Sequence, residues 1–402
     1  MGTAETIISE ATKLFPRSLS ELPNSDTSNI LSSQGSDGIV YGDTSQPRLF
    51  LRYAPEFIDD PQSTGMFAHI KAAIYKSPAP AIAALSSSVV VGYRTLISKD
   101  CFYNDQIYLD RQHFDRSFDR LAIVDPFPNE DTGLRRDDSN GPFILETQNR
   151  ETRKLDGPTI VLCSQEPSNF GSFMFRVLPK LETLNRYNVP SYPVLVYARS
   201  EATIEFLELA GIARERIRQH QPHIFTVCDK AIIPTLRNPD AFLDYETRIF
   251  FARLRSRFGA RKCEKRLYIS RLGYSRNSGS SRLMLNEETL IHRLLKIGFE
   301  IIEPEKLTAA QQVEAFSSAA MVVGPAGSAM FNCVFCEPGT KLLDIESEPH
   351  WIYAHAGLFA SCELRYGIFI GQQDPTDLSP VHRRWTVDIE RLLDRIDSFT
   401  RS

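Results

Sequence analysis

An α/β fold built on a parallel, helix-covered sheet is what this sequence predicts, and three observations predict it. After Arg266 the chain alternates strand and helix: strand 266–270, helix 286–297, strand 299–303, helix 308–319, strand 320–324, helix 327–335 and strand 341–346. A glycine turn, Val322-Val-Gly-Pro-Ala-Gly-Ser328, joins a buried strand to the helix after it. The 402 residues are 42% hydrophobic and 24% charged, so each of two to three domains can bury a sizeable core.

Taken in order, residues 1–45 are rich in Ser, Asn, Asp and Gly and read as a poorly ordered lead-in. A first domain over 46–240 opens with short strands at Ser88–Tyr93, Gln106–Leu109 and Thr159–Leu162. Helical spacing follows at Phe173, Val177, Leu181 and Leu184, then a strand at Pro193–Tyr197 and a helix Glu201–Leu209 closed by Gly211. A helix near 239–258 and a basic stretch, Arg253 to Arg266, lead to a second domain over 262–385. Residues 386–402 hold a last helix whose Val387, Ile389, Leu392, Leu393 and Ile396 are expected to pack back on the first domain.

A formal charge of -4 gives no argument for nucleic acid. Seven scattered cysteines, an odd number, suit reduced thiols and a cytoplasmic setting better than a disulfide framework. No apolar run reaches the length of a membrane span, and the start lacks the pattern of a secretory signal. The Arg253 to Arg266 stretch, with Glu264 as its one acid, is either a solvated interdomain helix or a peripheral contact with an anionic inner membrane face carrying a lipid-linked acceptor. Nothing in the pattern sets an oligomeric state.

The glycine turn offers free backbone N–H groups and a helix N-terminus at the edge of the sheet, where anions bind. It is neither Gly-x-Gly-x-x-Gly nor a Walker loop, so nicotinamide binding and ATP hydrolysis are poorly supported, and a ligand-free turn has the same form. Arg271 and Arg276 flank the loop after the preceding strand, and Arg282 approaches the Asn286-Glu287-Glu288 helix. Charge-assisted bonds to phosphate contribute roughly 1.5–3 kcal/mol each, so such arginines can hold a diphosphate without metal. Asp344 and Glu346 share one face at a strand end, where a carboxylate receives ribose hydroxyls or serves as a cap or ion pair. Cys333-Val-Phe-Cys336 lacks a second pair and reads as buried thiols, and His350, His355 and His382 read as packing residues.

With these residues assembled, the chain resembles glycosyltransferase family 61. The resemblance rests on Tyr268-Ile-Ser-Arg271, Arg282 with Asn286-Glu287, Gly298-Phe-Glu300, Leu307 with Gln311 or Gln312, Ala320-Met-Val-Val-Gly324, Gly327-Ser328 with Asn332 and Phe335, and Gly339 leading to Asp344. Asn169-Phe-Gly-Ser-Phe-Met-Phe-Arg-Val-Leu-Pro-Lys-Leu181 looks like the family's segment ending in Leu-Pro-Arg-Leu. The resemblance implies a GT-B-like architecture, two Rossmann-like domains facing a cleft, and inverting transfer from a nucleotide-sugar with no cofactor and no required metal. On that basis the donor-binding residues are Arg271, Arg276, Arg282, Asn286, Glu287, Gly324, Gly327, Ser328, Asn332, Asp344 and Glu346. Asn169, Ser172, Arg176 and Lys180 fall on the acceptor side.

Three positions depart from the family pattern. Ser172 stands where many members have His, Arg176 where an acid is common, and Ala326 where the turn usually carries His or Asn. Glu166 is the candidate for deprotonating the acceptor hydroxyl, against a surface or capping role. The expected activity is a hexosyl- or pentosyltransferase adding a sugar from a nucleoside-diphosphate donor to a saccharide or lipid-linked saccharide. The alternative is a catalytically impaired nucleotide-sugar-binding protein of the same fold.

Overall fold

The computed structural model describes residues 13–42, 49–60, 70, 72–122, 133–136, 141–147, 150–166, 169–198, 200–238, 240–259, 262–278, 282–347, 352–379 and 382–402. The chain forms two compact units, Met1–Arg48 with Ser77–Pro239, and Leu49–Lys76 with Asp240–Ser402. Both are α/β.

The first unit is built on a mixed sheet of eleven strands among the described residues. Ile217–Gln219, Val194–Val196, Thr152–Val161 and Phe225–Pro234 run parallel, and Phe225–Pro234 then pairs antiparallel with Ala81–Val91. Side chains alternate across the sheet, as a two-residue period requires. Val90, Leu96, Ala231 and Ile233 enter one buried cluster, while Val89, Val91, Ile97 and Phe102 enter another with Phe114 and Phe118 of the helix Arg111–Ala122.

Residues 13–42 correct the expected lead-in, because they are part of this fold. Lys13–Pro16 and Gly38–Tyr41 are strands, and Leu14, Leu19, Ile30 and Ile39 are fully buried. The polar residues that suggested disorder cap short helices: Ser18 Oγ accepts from the Ser20 N–H, and Asp26 Oδ1 from the Asn29 N–H. Residues 1–12 and 43–45 lie outside the described residues.

The second unit carries a parallel sheet whose main strands are β1 (Lys265–Ile269), β2 (Phe299–Ile302), β3 (Ala319–Pro325), β4 (Lys341–Glu346) and β5 (Arg365–Ile370). Their spatial order is β2-β1-β3-β4-β5, the flavodoxin-like doubly wound order, with Phe57–Asp59 added beside β5. Phe57–Asp59 and the hairpin Leu49–Arg52 with Ala73–Lys76 belong to this unit, not to a first domain running unbroken from 46 to 240.

Helices α1 (Tyr245–Ser256), α2 (Glu287–Lys296), α3 (Ala309–Ser317), α4 (Ile352–Ser361) and α5 (Ile389–Arg401) complete the unit. Leu290 and Leu294 of α2 and Leu392, Ile396 and Phe399 of α5 pack on Tyr268, Val323, Leu343, Ile345 and Phe369 of the sheet. The last helix therefore buries its apolar face in the second unit's own core, which corrects the expectation that it returns to the first domain. Several cations of the basic stretch are engaged inside the same unit: Arg255 donates to the Cys336 carbonyl, Lys265 pairs with Glu300, and Arg266 donates to the Ile297 carbonyl. No helix among the described residues is long and apolar enough to cross a membrane.

Candidate functional site

In a doubly wound sheet the connections leave in opposite directions from two neighbouring strands, which opens a crevice beyond their C-terminal ends. Here those neighbours are β1 and β3, paired in register with Tyr268 opposite Val323. The chain leaving β1 is Ser270-Arg271, and the chain leaving β3 is the glycine turn at Ala326-Gly327. Both therefore emerge at the switch point.

Two guanidinium groups meet there. Arg271 Nη1 and Arg282 Nη2 each donate to the Ala326 carbonyl oxygen at 3.0 Å. A neutral carbonyl is a poor match for two cations, and the Arg271 guanidinium is correspondingly destabilised. Burial, with the neighbouring charge of Arg282, lowers its pKa to about 10. An anion placed here would relieve both effects.

The surrounding residues hold this geometry. Glu287, at the start of α2, is buried, and its Oε1 accepts from Ser270 Oγ and the Arg271 N–H, both at 2.9 Å. Burial raises its pKa and these donors oppose the rise. Its role is to fix the turn after β1. Trp385 Nε1 donates to the Arg282 carbonyl at 3.2 Å, and Asn286 exchanges two hydrogen bonds with the Val387 backbone. Asn286 thus locks α2 to the segment before α5 rather than facing a ligand.

The glycines act by leaving room. A Cβ on Gly327 would lie 2.7 Å from Arg271 Nη1, and one on Gly324 would lie 2.9 Å from the Ile269 Cβ. The segment after the turn, Ser328–Phe335, forms the helix expected over 327–335, and it is of the 3-10 type. Its poorer hydrogen-bond alignment gives a weaker terminal dipole, so the arginines carry more of any attraction for an anion. Asn332 is fully buried in that segment, with Nδ2 donating to the Ala329 carbonyl. Arg276 belongs to the helix Leu272–Ser278, but its side chain lies outside the described residues, as does the stretch 348–351 with His350.

Asp344 and Glu346 sit at the end of β4, sealed from solvent. Asp344 Oδ2 lies 2.8 Å from His355 Nδ1, and Glu346 Oε1 lies 3.8 Å from the same nitrogen. The carboxylates are turned inward on this imidazole, which leaves the ribose role without a solvent-facing acceptor. The sequence missed His355 as a partner because only the fold brings α4 over the end of β4. Asp344, Glu346 and His355 are the residues of the unit whose donor atoms could hold a metal, all within 4.8 Å of one another among the described residues. Cys333 and Cys336 are buried free thiols, their pKa values raised by burial.

The first unit holds its own cluster. Asn169 Oδ1 accepts from the Gly171 and Ser172 N–H groups, starting a short helical turn. Phe173–Val177 then widens into a π-turn, closed by the Leu178 N–H to the Phe173 carbonyl, and a regular helix resumes at Lys180–Arg186. Pro179, which has no N–H and whose ring crowds the preceding turn, breaks what the apolar spacing predicts as one helix. The π-turn sends Arg176 towards Glu166: Arg176 Nη1 lies 3.2 Å from Glu166 Oε2 and from Ser172 Oγ, and Ser172 Oγ donates to Glu166 Oε2 at 3.2 Å. Burial lowers the Arg176 pKa, and the Glu166 charge opposes that shift.

Glu166 has φ +50°, a left-handed conformation uncommon for a residue with a side chain. Its side chain is 42% exposed, whereas that of Arg176 is 12% exposed. Lys180 is fully buried, its Nζ 2.8 Å from Asp105 Oδ2 and 2.9 Å from the Cys163 carbonyl oxygen. It braces the segment from within and presents nothing to an acceptor. Asp105, which also accepts from Ser164 Oγ at 2.6 Å, gave no sequence signal because its partners come together only in the fold.

A family model described as Glycosyltransferase 61 matches residues 170–343. No curated protein matches the chain.

Proposed function

Since residues 170–343 belong to glycosyltransferase family 61, we propose that the protein transfers a hexosyl or pentosyl group from a nucleoside-diphosphate-sugar to a saccharide hydroxyl with inversion. The observation that carries this reading is the meeting of Arg271 and Arg282 at the Ala326 carbonyl, on the β1/β3 switch point. A diphosphate there offers charged oxygens to both guanidinium groups beside the neutral carbonyl they share, and the charge growing on the leaving group strengthens those bonds. Gly327 gives the phosphate close backbone approach, and Ser328 supplies a hydroxyl beside it. In the GT-B arrangement implied by the resemblance, the second unit is the donor side and the first unit the acceptor side.

On the acceptor side Glu166 is the proposed base. Ser172 Oγ and Arg176 hold its carboxylate in place to accept the proton of an incoming hydroxyl. The same contacts favour a second reading, a nucleotide-sugar-binding protein with impaired transfer, because Glu166 Oε2 already accepts from a guanidinium and a hydroxyl and has less capacity left for an acceptor proton. A thermal-shift screen against UDP-, GDP-, CMP- and dTDP-sugars tests the common part of both readings. One of the diphosphate donors, UDP-, GDP- or dTDP-linked, should raise the unfolding temperature by mass action, and no shift with any of these three, or a shift with the monophosphate CMP-sugars alone, counts against the reading. Release of nucleoside diphosphate from that donor, with and without saccharide acceptors, separates transfer from binding alone.

A further inference from the structure

We infer that Asp344, Glu346 and His355 form a divalent-cation site that ties the end of β4 to α4. Leu343 and Ile345 point into the core shared with α2 and α5, so the alternating Asp344 and Glu346 point to the opposite face of the sheet. There they meet His355 of α4, whose Nδ1 lies 2.8 Å from Asp344 Oδ2 and 3.8 Å from Glu346 Oε1. Metal–ligand bonds of about 2.0–2.2 Å to oxygen and nitrogen place neighbouring donors roughly 3 Å apart, so small side-chain adjustments close the set around one ion.

Burial and hydrogen bonding both favour a bound cation. The three side chains are at most 1% exposed, and the imidazole lies against Phe331 and Phe359 at ring distances of 5.7 and 5.5 Å. Asp344 Oδ1 is, in addition, buried with no hydrogen-bond partner among the described residues, a position that costs stability unless something binds it.

With Asp344 binding through both oxygens, three carboxylate oxygens and an imidazole nitrogen supply the four donors of a closed site, a set that suits Zn²⁺ or Mn²⁺ rather than a soft ion. The enclosure makes this a structural site with no position open to substrate, separate from the arginine pair that the proposed donor contacts.

The test uses the full, tag-free chain, stripped with EDTA and dialysed, with no sugar nucleotide present, so its result does not depend on the proposed activity. Zn²⁺ and Mn²⁺ are titrated separately by calorimetry while the unfolding temperature is followed. The site predicts one equivalent of at least one of the two metals per chain, a rise in unfolding temperature reversed by EDTA, and binding at least about tenfold weaker in Glu346→Gln and His355→Gln. No binding of either metal to the wild-type chain overturns it, whatever the variants do. Equal binding by the wild type and both variants, shown to be folded by circular dichroism, overturns it as well.

Discussion

Arg271 reaches across the switch point to Ala326: its Nη1 donates to the carbonyl oxygen at 3.0 Å, and the Gly327 that follows has no Cβ to obstruct it. The contact joins the chain leaving β1 to the chain leaving β3. It places a half-buried guanidinium where the fold opens its crevice.

Gly327→Ala follows directly from that contact. The added Cβ would lie 2.7 Å from Arg271 Nη1 and must push the guanidinium aside. Gly327 has φ +157°, a conformation that side chains rarely adopt, so the variant should lose some stability, and it should bind the donor about tenfold more weakly, a loss of about 1.4 kcal/mol. Calorimetric titration with the donor checks this, and unchanged affinity would remove the turn from the site.

Glu287→Ala should act through Arg271. Removing the carboxylate leaves Ser270 Oγ and the Arg271 N–H without their acceptor, which costs about 1–3 kcal/mol for a buried group. Glu287→Gln keeps a carbonyl oxygen and should lose less. Urea denaturation reads the stability, and donor affinity should fall in the same order, alanine below glutamine. A stability loss with full donor affinity would show that Glu287 supports the fold without positioning Arg271.

For Glu166→Gln the expectation is a split between binding and chemistry. Donor affinity stays at the wild-type level, while transfer to acceptor falls by about a hundredfold or more, the usual range for a lost general base. Initial rates of nucleoside diphosphate release with acceptor present measure it. Wild-type turnover in the variant excludes Glu166 as the base.

His220 predicts a pH dependence in the first unit. It is 1% exposed, with Nε2 2.6 Å from the Gly92 carbonyl oxygen, and burial lowers its pKa from 6.5 to about 4. The folded state holds the imidazole neutral while the unfolded state takes up a proton below pH 6.5. The stability associated with it is complete above that pH and is lost as pH falls towards 4. Urea unfolding across this range should show the decline, and His220→Gln should flatten it. A His220 ring that titrates near 6.5 by NMR contradicts the account.

The sequence showed the second unit's strands because buried parallel strands such as Val322-Val323 and Leu342-Leu343 are apolar on both faces, and helices separate them at regular intervals. Arg271 and the glycine turn were legible for the same reason, each standing next to such a strand, and Arg282 by its place on the approach to the Asn286-Glu287 helix. What sequence did not show depends on distant pairing. Phe57–Asp59 joins β5 across some three hundred residues of chain, and His355 meets Asp344 only once α4 folds over β4. Lys180 fell on the acceptor side through its place in the family-like segment, whereas the fold pairs it, fully buried, with Asp105 from a distant part of the chain. Residues 13–42 misled by composition, since Ser and Asp acting as helix caps resemble the polar residues of a disordered tail.

The central claim is that the switch point grips the diphosphate of a sugar donor. Calorimetric titration of wild type and Arg271→Ala with the stabilising nucleoside-diphosphate-sugar tests it most directly. The account predicts saturable binding at one site in the wild type and affinity at least about tenfold weaker in the variant, with the fold intact by circular dichroism. Equal affinity in the two proteins would contradict it.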